Sequence, residues 1–285
     1  MSQLSLFKIS RPRAQLLKWV GNKFKYALEI VSFFPEEYND FIEPFVGTGA
    51  ILGTLAPPKA IAGDILSPLI DLWHLVQNSP EKLIEHYTKE ITRFNLDRLY
   101  TYEQIRDRYN NNSNPLDLLI LSRTCYGGVM RFTKEGKIST PIGPHKPISP
   151  SAFVSRVNEW RDRIINTTFI NQSFEKTMRY AAEGDLVYCD PPYIDTQSIL
   201  YGSQEFSFSR LINSISECKE KGAKVALSID GSKKSGLKKI ELKIPRDLFV
   251  REIFLDCGSS MLRRFQNGGK IMIGEDVRDR LLLTW

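Results

Sequence analysis

Short apolar runs ending in Gly, Pro or Asp recur in two separated blocks of this sequence, alternating within each block with segments of helical periodicity. A parallel strand must be followed by a crossover long enough to hold a helix, so this alternation points to a mostly parallel sheet wrapped by helices. The first block runs from Asp40 to about Asp64: DFIEPFVG reads as a strand, GAILGTLA as the helix after it, and AIAGD as a second strand. The second block begins near Thr167, where TTFINQSF, DLVYCDPPY, KVALSID, LFVREIFLD and DRLLLTW read as strands. Leu211, Ile212, Ile215 and Cys218 mark a helix that Gly222 stops.

The stretch between the blocks differs. SPLIDLWHLV, EKLIEHYTKEITRF, TYEQIRDRY and PLDLLILSR carry apolar residues at helical spacing, for example Leu69, Leu72, Trp73 and Val76, and read as a helical insertion. It ends in CYGGVMRFTKEGKISTPIG, where two short runs flank Lys134-Glu135-Gly136, a hairpin turn with Gly136 in the left-handed position.

A chain of 285 residues with 42% hydrophobic content has ample core for one large domain, or one domain carrying an insertion. The formal charge of +6 and pI near 9.0 favour a polyanionic partner. Cys125, Cys189, Cys218 and Cys257 lack close paired spacing and His74, His86 and His145 are far apart, so neither a metal cluster nor a disulfide framework is expected. The start, MSQLSLFKISRPR, has no apolar run of signal-peptide length, and no membrane-length stretch occurs elsewhere, so a cytoplasmic setting without a membrane partner is expected.

The most specific string is Asp190-Pro191-Pro192-Tyr193, directly after the apolar run LVYC. A given four-residue string arises by chance in a chain this long on the order of once in a thousand. An exocyclic amine on a base is conjugated with its ring and is a poor nucleophile until acceptors hold its N–H groups. Asp190 can accept one N–H and the Pro191 carbonyl the other, since Pro191-Pro192 fixes the backbone and supplies no competing donors. Tyr193 offers a flat face to a base taken out of the stack. A strand-terminating Pro-Pro turn with a capping Asp and a packed Tyr is the plainer reading.

Glu43-Pro44-Phe45-Val46-Gly47-Thr48-Gly49 reads as strand, glycine turn and helix start, where missing Cβ atoms let backbone approach a ligand, although FxGxG by itself also describes any tight turn. Asp64 falls at the end of the next strand, where an acid can accept from both ribose hydroxyls of an adenosine or simply cap the helix at Ser67-Pro68. Lys18-Trp19-Val20-Gly21-Asn22-Lys23 sets an ammonium beside a glycine turn, suited to the carboxylate of a methionine moiety or to a basic helix start with Trp19 in the core.

Taken in order, LLKWVGNK, FIEPFVGTGA, AIAGD, the SRTCYGG…GKISTPIG stretch, NQSFEKT and GDLVYCDPPY resemble the Dam-like (D12 class) DNA adenine methyltransferases, over nearly the whole chain. The resemblance implies an α/β, Rossmann-like class I methyltransferase sheet that uses S-adenosylmethionine, with a mainly helical target-recognition domain and its β-hairpin inserted between the donor-binding and catalytic motifs. Residues 1–66 and 152–285 would form the catalytic domain and 67–151 the insertion. By matching position, Trp19, Lys23, Glu43, Pro44, Phe45, Gly47, Gly49, Asp64 and Asp190 would bind the donor, and Asp190, Pro191, Pro192 and Tyr193 would form the base pocket. Ser173 precedes Phe174 where many relatives read Asp-Phe, so a serine hydroxyl or a nearby backbone group would substitute in that donor contact.

Arg123, Tyr126, Arg131, Lys134, Lys137 and Lys146 are the expected DNA contacts, with Phe132 interleaved and the hairpin from Arg123 to Gly143 as main reader of sequence. Arg156, Arg161 and Arg163 follow, and Arg263, Arg264 and Lys270 flank the loop Gln266-Asn267-Gly268-Gly269, which suits phosphate contact or a solvated tip. The lysine-rich stretch from Gly231 to Lys239 matches no motif.

The expected partner is double-stranded DNA, with a cognate restriction endonuclease as an optional companion and no protein partner or metal required. N4 of cytosine stays open as the acceptor, because the same motif presents any aromatic exocyclic amine, and a catalytically silent DNA-binding module on the same scaffold is a further alternative. A nicotinamide-dependent oxidoreductase lacks support, since no clear G-x-G-x-x-G is present and Asp-Pro-Pro-Tyr has no role there.

Overall fold

A computed structural model of the chain describes residues 9–19, 21–133, 135–192, 206–230, 244–256 and 278–285. In chain order the described elements are α1 (Ala27–Val31), β1 (Phe41–Glu43), α2 (Ala50–Leu55), β2 (Ala60–Asp64), α3 (Ser67–Asn78), α4 (Pro80–Leu96), α5 (Arg98–Asn111) and α6 (Pro115–Thr124). There follow α7 (Pro150–Ile164), β3 (Thr167–Asn171), α8 (Phe174–Met178), β4 (Leu186–Cys189), α9 (Phe208–Glu220), β5 (Lys224–Asp230), β6 (Arg251–Asp256) and β7 (Arg278–Leu283).

The strands form one seven-stranded sheet in the order β3-β2-β1-β4-β5-β7-β6. From β3 to β5 every pairing is parallel. β7 runs antiparallel to both β5 and β6. The expected mixed α/β sheet is present, and its central strands β1 and β4 are buried at every residue, as strands covered on both faces must be.

The period-two alternation of a strand divides the core in two. Phe41, Leu186, Tyr188, Ala226, Leu281 and Leu283 join one hydrophobic cluster, which continues through Trp73, Trp160, Tyr87, Phe94 and Leu118. Ile42, Val187, Cys189, Val225, Leu227 and Leu282 point the other way, onto Phe174 of α8 and Leu211, Ile212, Ile215 and Cys218 of α9. The helices α3 to α7 between β2 and β3 therefore share one continuous core with the first sheet face.

Several local expectations are shortened by specific chemistry. DFIEPFVG is strand only over Phe41–Glu43, because Pro44 brings no N–H to a ladder. LFVREIFLD is strand only from Arg251, after a turn in which Leu248 N donates to Pro245 O. The hairpin exists as two isolated antiparallel bridges, Cys125 with Ile142 and Phe132 with Ile138. Its tip is closed by Thr133 N donating to Lys137 O at 2.8 Å, with Gly136 at φ +75° as the spacing predicts. Helix α5 holds the returning arm: Tyr102 Oη donates to Thr140 O at 2.7 Å and Ile138 N donates to Asn110 Oδ1 at 2.7 Å.

Candidate active site

The strand order places β1 between β2 and β4, so the crossovers leaving β1 and arriving at β4 lie on opposite sides. In an open α/β sheet the crevice outside the carboxyl ends of the strands at such a reversal is where ligands bind. Each of the three strands ends there in a motif singled out above: Glu43 to Gly49 after β1, Asp64 at the end of β2, and Asp190-Pro191-Pro192 after β4.

Gly47 and Gly49 both take left-handed backbone, at φ +46° and +63°. Among the described residues, a Cβ added at Gly47 would find only Phe45 O, at 4.0 Å, so none of them crowds the turn. Its conformation is held from three sides. Gly47 N donates to Asp64 Oδ2 at 3.2 Å, the Trp73 indole N–H donates to Gly47 O at 3.0 Å, and Val46 N donates to Gly63 O at 2.9 Å. Asp64 also accepts from Leu66 N at 3.0 Å, so its carboxylate braces the turn and the start of α3. Burial pushes its pKa above the usual carboxylate range, against the three backbone N–H groups around it. Glu43 is fully buried and accepts from Leu52 N at 3.1 Å, tying β1 to α2. Burial, and next the charge of Asp190, push its carboxyl well above the usual range.

Lys23 donates from Nζ to Asp190 Oδ1 at 2.7 Å and to Gly21 O at 3.3 Å, and lies 3.6 Å from Asp279 Oδ2. The sequence suggests that this ammonium serves a ligand carboxylate; the structure sets it against the carboxylate of the Asp-Pro-Pro motif. Asp190 is pushed up by burial and held back by Lys23. Trp19 is buried in the core cluster and its carbonyl accepts from Asn22 Nδ2 at 2.6 Å. Phe45 stacks on Phe174, centroids 5.1 Å apart, and Phe206 meets both, at 6.1 Å and 5.8 Å. Ser173 occupies the N-cap position of α8 without a side-chain capping bond. Tyr193 lies outside the described residues, whereas Pro191 is buried and Pro192 half-buried.

The site is thus a left-handed glycine turn, a bracing acid and a lysine-bound Asp-Pro-Pro motif at adjoining strand ends. The model for the D12 class of N6 adenine-specific DNA methyltransferases matches residues 19–264, most of the chain. The chain belongs to this family.

Relatives bear this out along much of its length. The chain is 30% identical over 229 residues to the type II methyltransferase M1.LlaDCHI of Lactococcus lactis subsp. cremoris, covering 75% of this chain and 80% of that one. It is 33% identical over 184 residues to the DNA adenine methylase of Serratia marcescens, covering 62% and 66%. With the type II methyltransferase M.MjaIII of Methanocaldococcus jannaschii it shares 30% identity over 240 residues, covering 74% and 82%. A solved rRNA methyltransferase, aviRa from Streptomyces viridochromogenes, aligns over 91% of this chain and 83% of its own with 13% identity and a TM-score of 0.40. As a D12 methyltransferase the protein transfers methyl groups from S-adenosylmethionine to N6 of adenine in DNA.

Within this methyltransferase the basic residues divide sharply. Tyr126, Arg131, Lys137 and Lys146 are exposed on and just after the hairpin. Arg98 fixes the loop before Lys146 by donating to Gly143 O at 2.9 Å and His145 O at 3.2 Å. Arg123 is placed differently from the expectation: it is 6% exposed, and its guanidinium donates to Leu16 O at 2.7 Å and Gln15 O at 3.3 Å. Arg156 also donates to Gln15 O, at 2.9 Å, and Arg163 to Ser10 O and Gly53 O, while Arg161 reaches Gln77 O at 3.3 Å. Arg123, Arg156 and Arg163 reach carbonyls of the N-terminal segment that no sheet or helix uses, and Gly53 and Gln77 offer carbonyls from the last turns of α2 and α3. Lys134, the stretch from Gly231 to Lys239, and Arg263, Arg264 and Lys270 with their loop lie outside the described residues.

Sequence reasoning missed Asp279, Phe206 and the role of Trp73. An Asp at the first position of a predicted strand and a Phe before a helix carry no local signal. Trp73 was legible only as part of an amphipathic face.

Among the described residues no helix is long and apolar enough to cross a membrane.

Proposed function

We propose that Asp190 and the carbonyl of Pro191 hold the two N–H groups of adenine N6 and aim its lone pair at the methyl donor, on a base flipped out of double-stranded DNA at a specific site. The observation that carries this reading is the state of Asp190: Lys23 occupies Oδ1, while among the described residues Oδ2 has no hydrogen-bond partner and is available to an incoming N–H. When bound, S-adenosylmethionine supplies a methyl group on a sulfonium, so transfer needs no covalent enzyme intermediate. The residues present fit such a donor: Gly47 offers backbone that no other described residue crowds, Asp64 keeps acceptor capacity for a ribose hydroxyl, and Phe45, Phe174 and Phe206 form an aromatic wall suited to a purine ring.

Lys23 keeps Asp190 ionised and fixed, Asp190 and Pro191 orient the amine, and the proton shed by N6 leaves along its hydrogen bond to Asp190. Tyr193 stacks on the extruded base, whose unstacking costs a few kcal/mol. Residues 67–151 act as the target-recognition domain of a Rossmann-like class I catalytic domain (1–66 and 152–285), with Arg131 reading base edges and Lys137 and Lys146 holding phosphates. The type II methyltransferase names of two relatives make a restriction endonuclease of the same recognition sequence the natural companion.

The test is transfer of labelled methyl to unmethylated genomic DNA followed by nucleoside analysis. Asp190→Ala is expected to lose at least about 100- to 1,000-fold in turnover while binding the donor nearly as before. Undiminished N6-methyladenine from that variant would overturn the assignment.

A further inference from the structure

Asp279 lies beyond the residues matched by the family model, on the C-terminal strand β7. Because β7 runs antiparallel to β5, its first residues sit at the carboxyl ends of the parallel strands, where Asp279 pairs with Asp230 of β5 and Leu255 of β6. Asp279 and Asp190 thus rise from the same end of the sheet on strands separated only by β5. The Lys23 ammonium enters between them, 2.7 Å from Asp190 Oδ1 and 3.6 Å from Asp279 Oδ2, with its side chain 4% exposed and that of Asp279 10%.

A lysine is a compact charge on a flexible four-carbon stem, and a single carboxylate does little to fix its direction. Here Gly21 O, Asp190 and Asp279 surround the ammonium, so its position is set by groups from three parts of the chain. A second carboxylate is also costly to bury beside Asp190, because the two repel. Lys23 between them offsets that repulsion.

We propose that Asp279 is a positioning residue for methyl transfer: it draws the Lys23 ammonium into the place from which it binds Oδ1 of Asp190 and leaves Oδ2 facing the base amine. This rests on the reading of Asp190 as the amine's acceptor. In this arrangement Asp279 touches neither base nor donor and acts on Asp190 through Lys23.

The experiment compares Asp279→Asn, Asp279→Glu, Lys23→Met and the double variant Lys23→Met/Asp279→Asn, with Asp190→Asn alongside, by methylation of genomic DNA, donor affinity and melting temperature. Asp279→Asn is expected to lower kcat at least about tenfold with KM for S-adenosylmethionine within about threefold, with partial rescue in Asp279→Glu and no further loss when added to Lys23→Met. Wild-type turnover in Asp279→Asn, or an undiminished further loss in the Lys23→Met background, overturns the inference. So does a loss that follows melting temperature and donor affinity and that Glu does not rescue. If Asp190→Asn remains active, it is the underlying reading of Asp190 that fails; if Asp190→Asn is silent and Asp279→Asn is not impaired, only the role of Asp279 falls.

Discussion

The indole N–H of Trp73 donates to the carbonyl of Gly47 across 3.0 Å, joining α3 to the glycine turn at the end of β1. Trp73 is fully buried and also stacks on Phe169 of β3, centroids 5.8 Å apart, so the donor is held rigidly. Trp73→Phe keeps most of the packing and removes the bond. We expect a loss of about 1–3 kcal/mol in stability and a raised KM for S-adenosylmethionine, with kcat for saturated enzyme little changed. Donor titrations that match the wild type would show that the turn holds its shape without the indole.

Arg123 binds the carbonyls of Gln15 and Leu16, just before Trp19 and Lys23, through one nitrogen, Nη1, of a buried guanidinium. Lysine keeps the charge, but its ammonium is more strongly hydrated than a guanidinium and costs more to bury there. Arg123→Lys should therefore cost about 2 kcal/mol in denaturant unfolding while the sequence preference of methylation stays the same. A stable variant with altered preference would instead return Arg123 to the DNA interface.

Asp117 links α4, α5 and α6 through Arg108, His86 and Asn114. Burial pushes its carboxyl up, but these partners overcome that and hold it down at about 2. A depressed folded-state pKa contributes stability that is fully present above the unfolded value near pH ~4 and is lost as pH falls toward 2. Asp117→Asn should be less stable than the wild type by about 3–5 kcal/mol at neutral pH, with the gap narrowing between pH ~4 and ~2. A gap that is constant through that window would mean the carboxylate's charge is not what stabilises the three helices.

Lys137 and Lys146 are exposed on the hairpin side of the helical layer. Each phosphate contact releases counterions, so Lys137→Ala and Lys146→Ala should each reduce the slope of log affinity against log salt by about 1, without changing the preferred sequence. Equal slopes in wild type and variants would remove these lysines from the interface.

Much of the fold was legible because its determinants are local. AIAGD and KVALSID became β2 and β5 over their full length, and Gly136 and Gly222 took the left-handed backbone that their turns need. The Asp-Pro-Pro and glycine-turn motifs met at adjoining strand ends, as their shared position after apolar runs suggests. The basic residues were not legible in the same way. Arg123 and Arg131 look alike in sequence, and whether an arginine faces solvent or a stray carbonyl depends on which segment crosses its helix.

By itself the sequence determined the elements, their order and the chemistry available at each strand end, since periodicity, glycine and proline act over a few residues. Only the tertiary structure decided that Lys23 meets Asp190 across 167 positions and that Asp279 joins them from the last strand. Those pairings depend on strand order and direction, which the free energy of the whole packed sheet selects and no local pattern encodes.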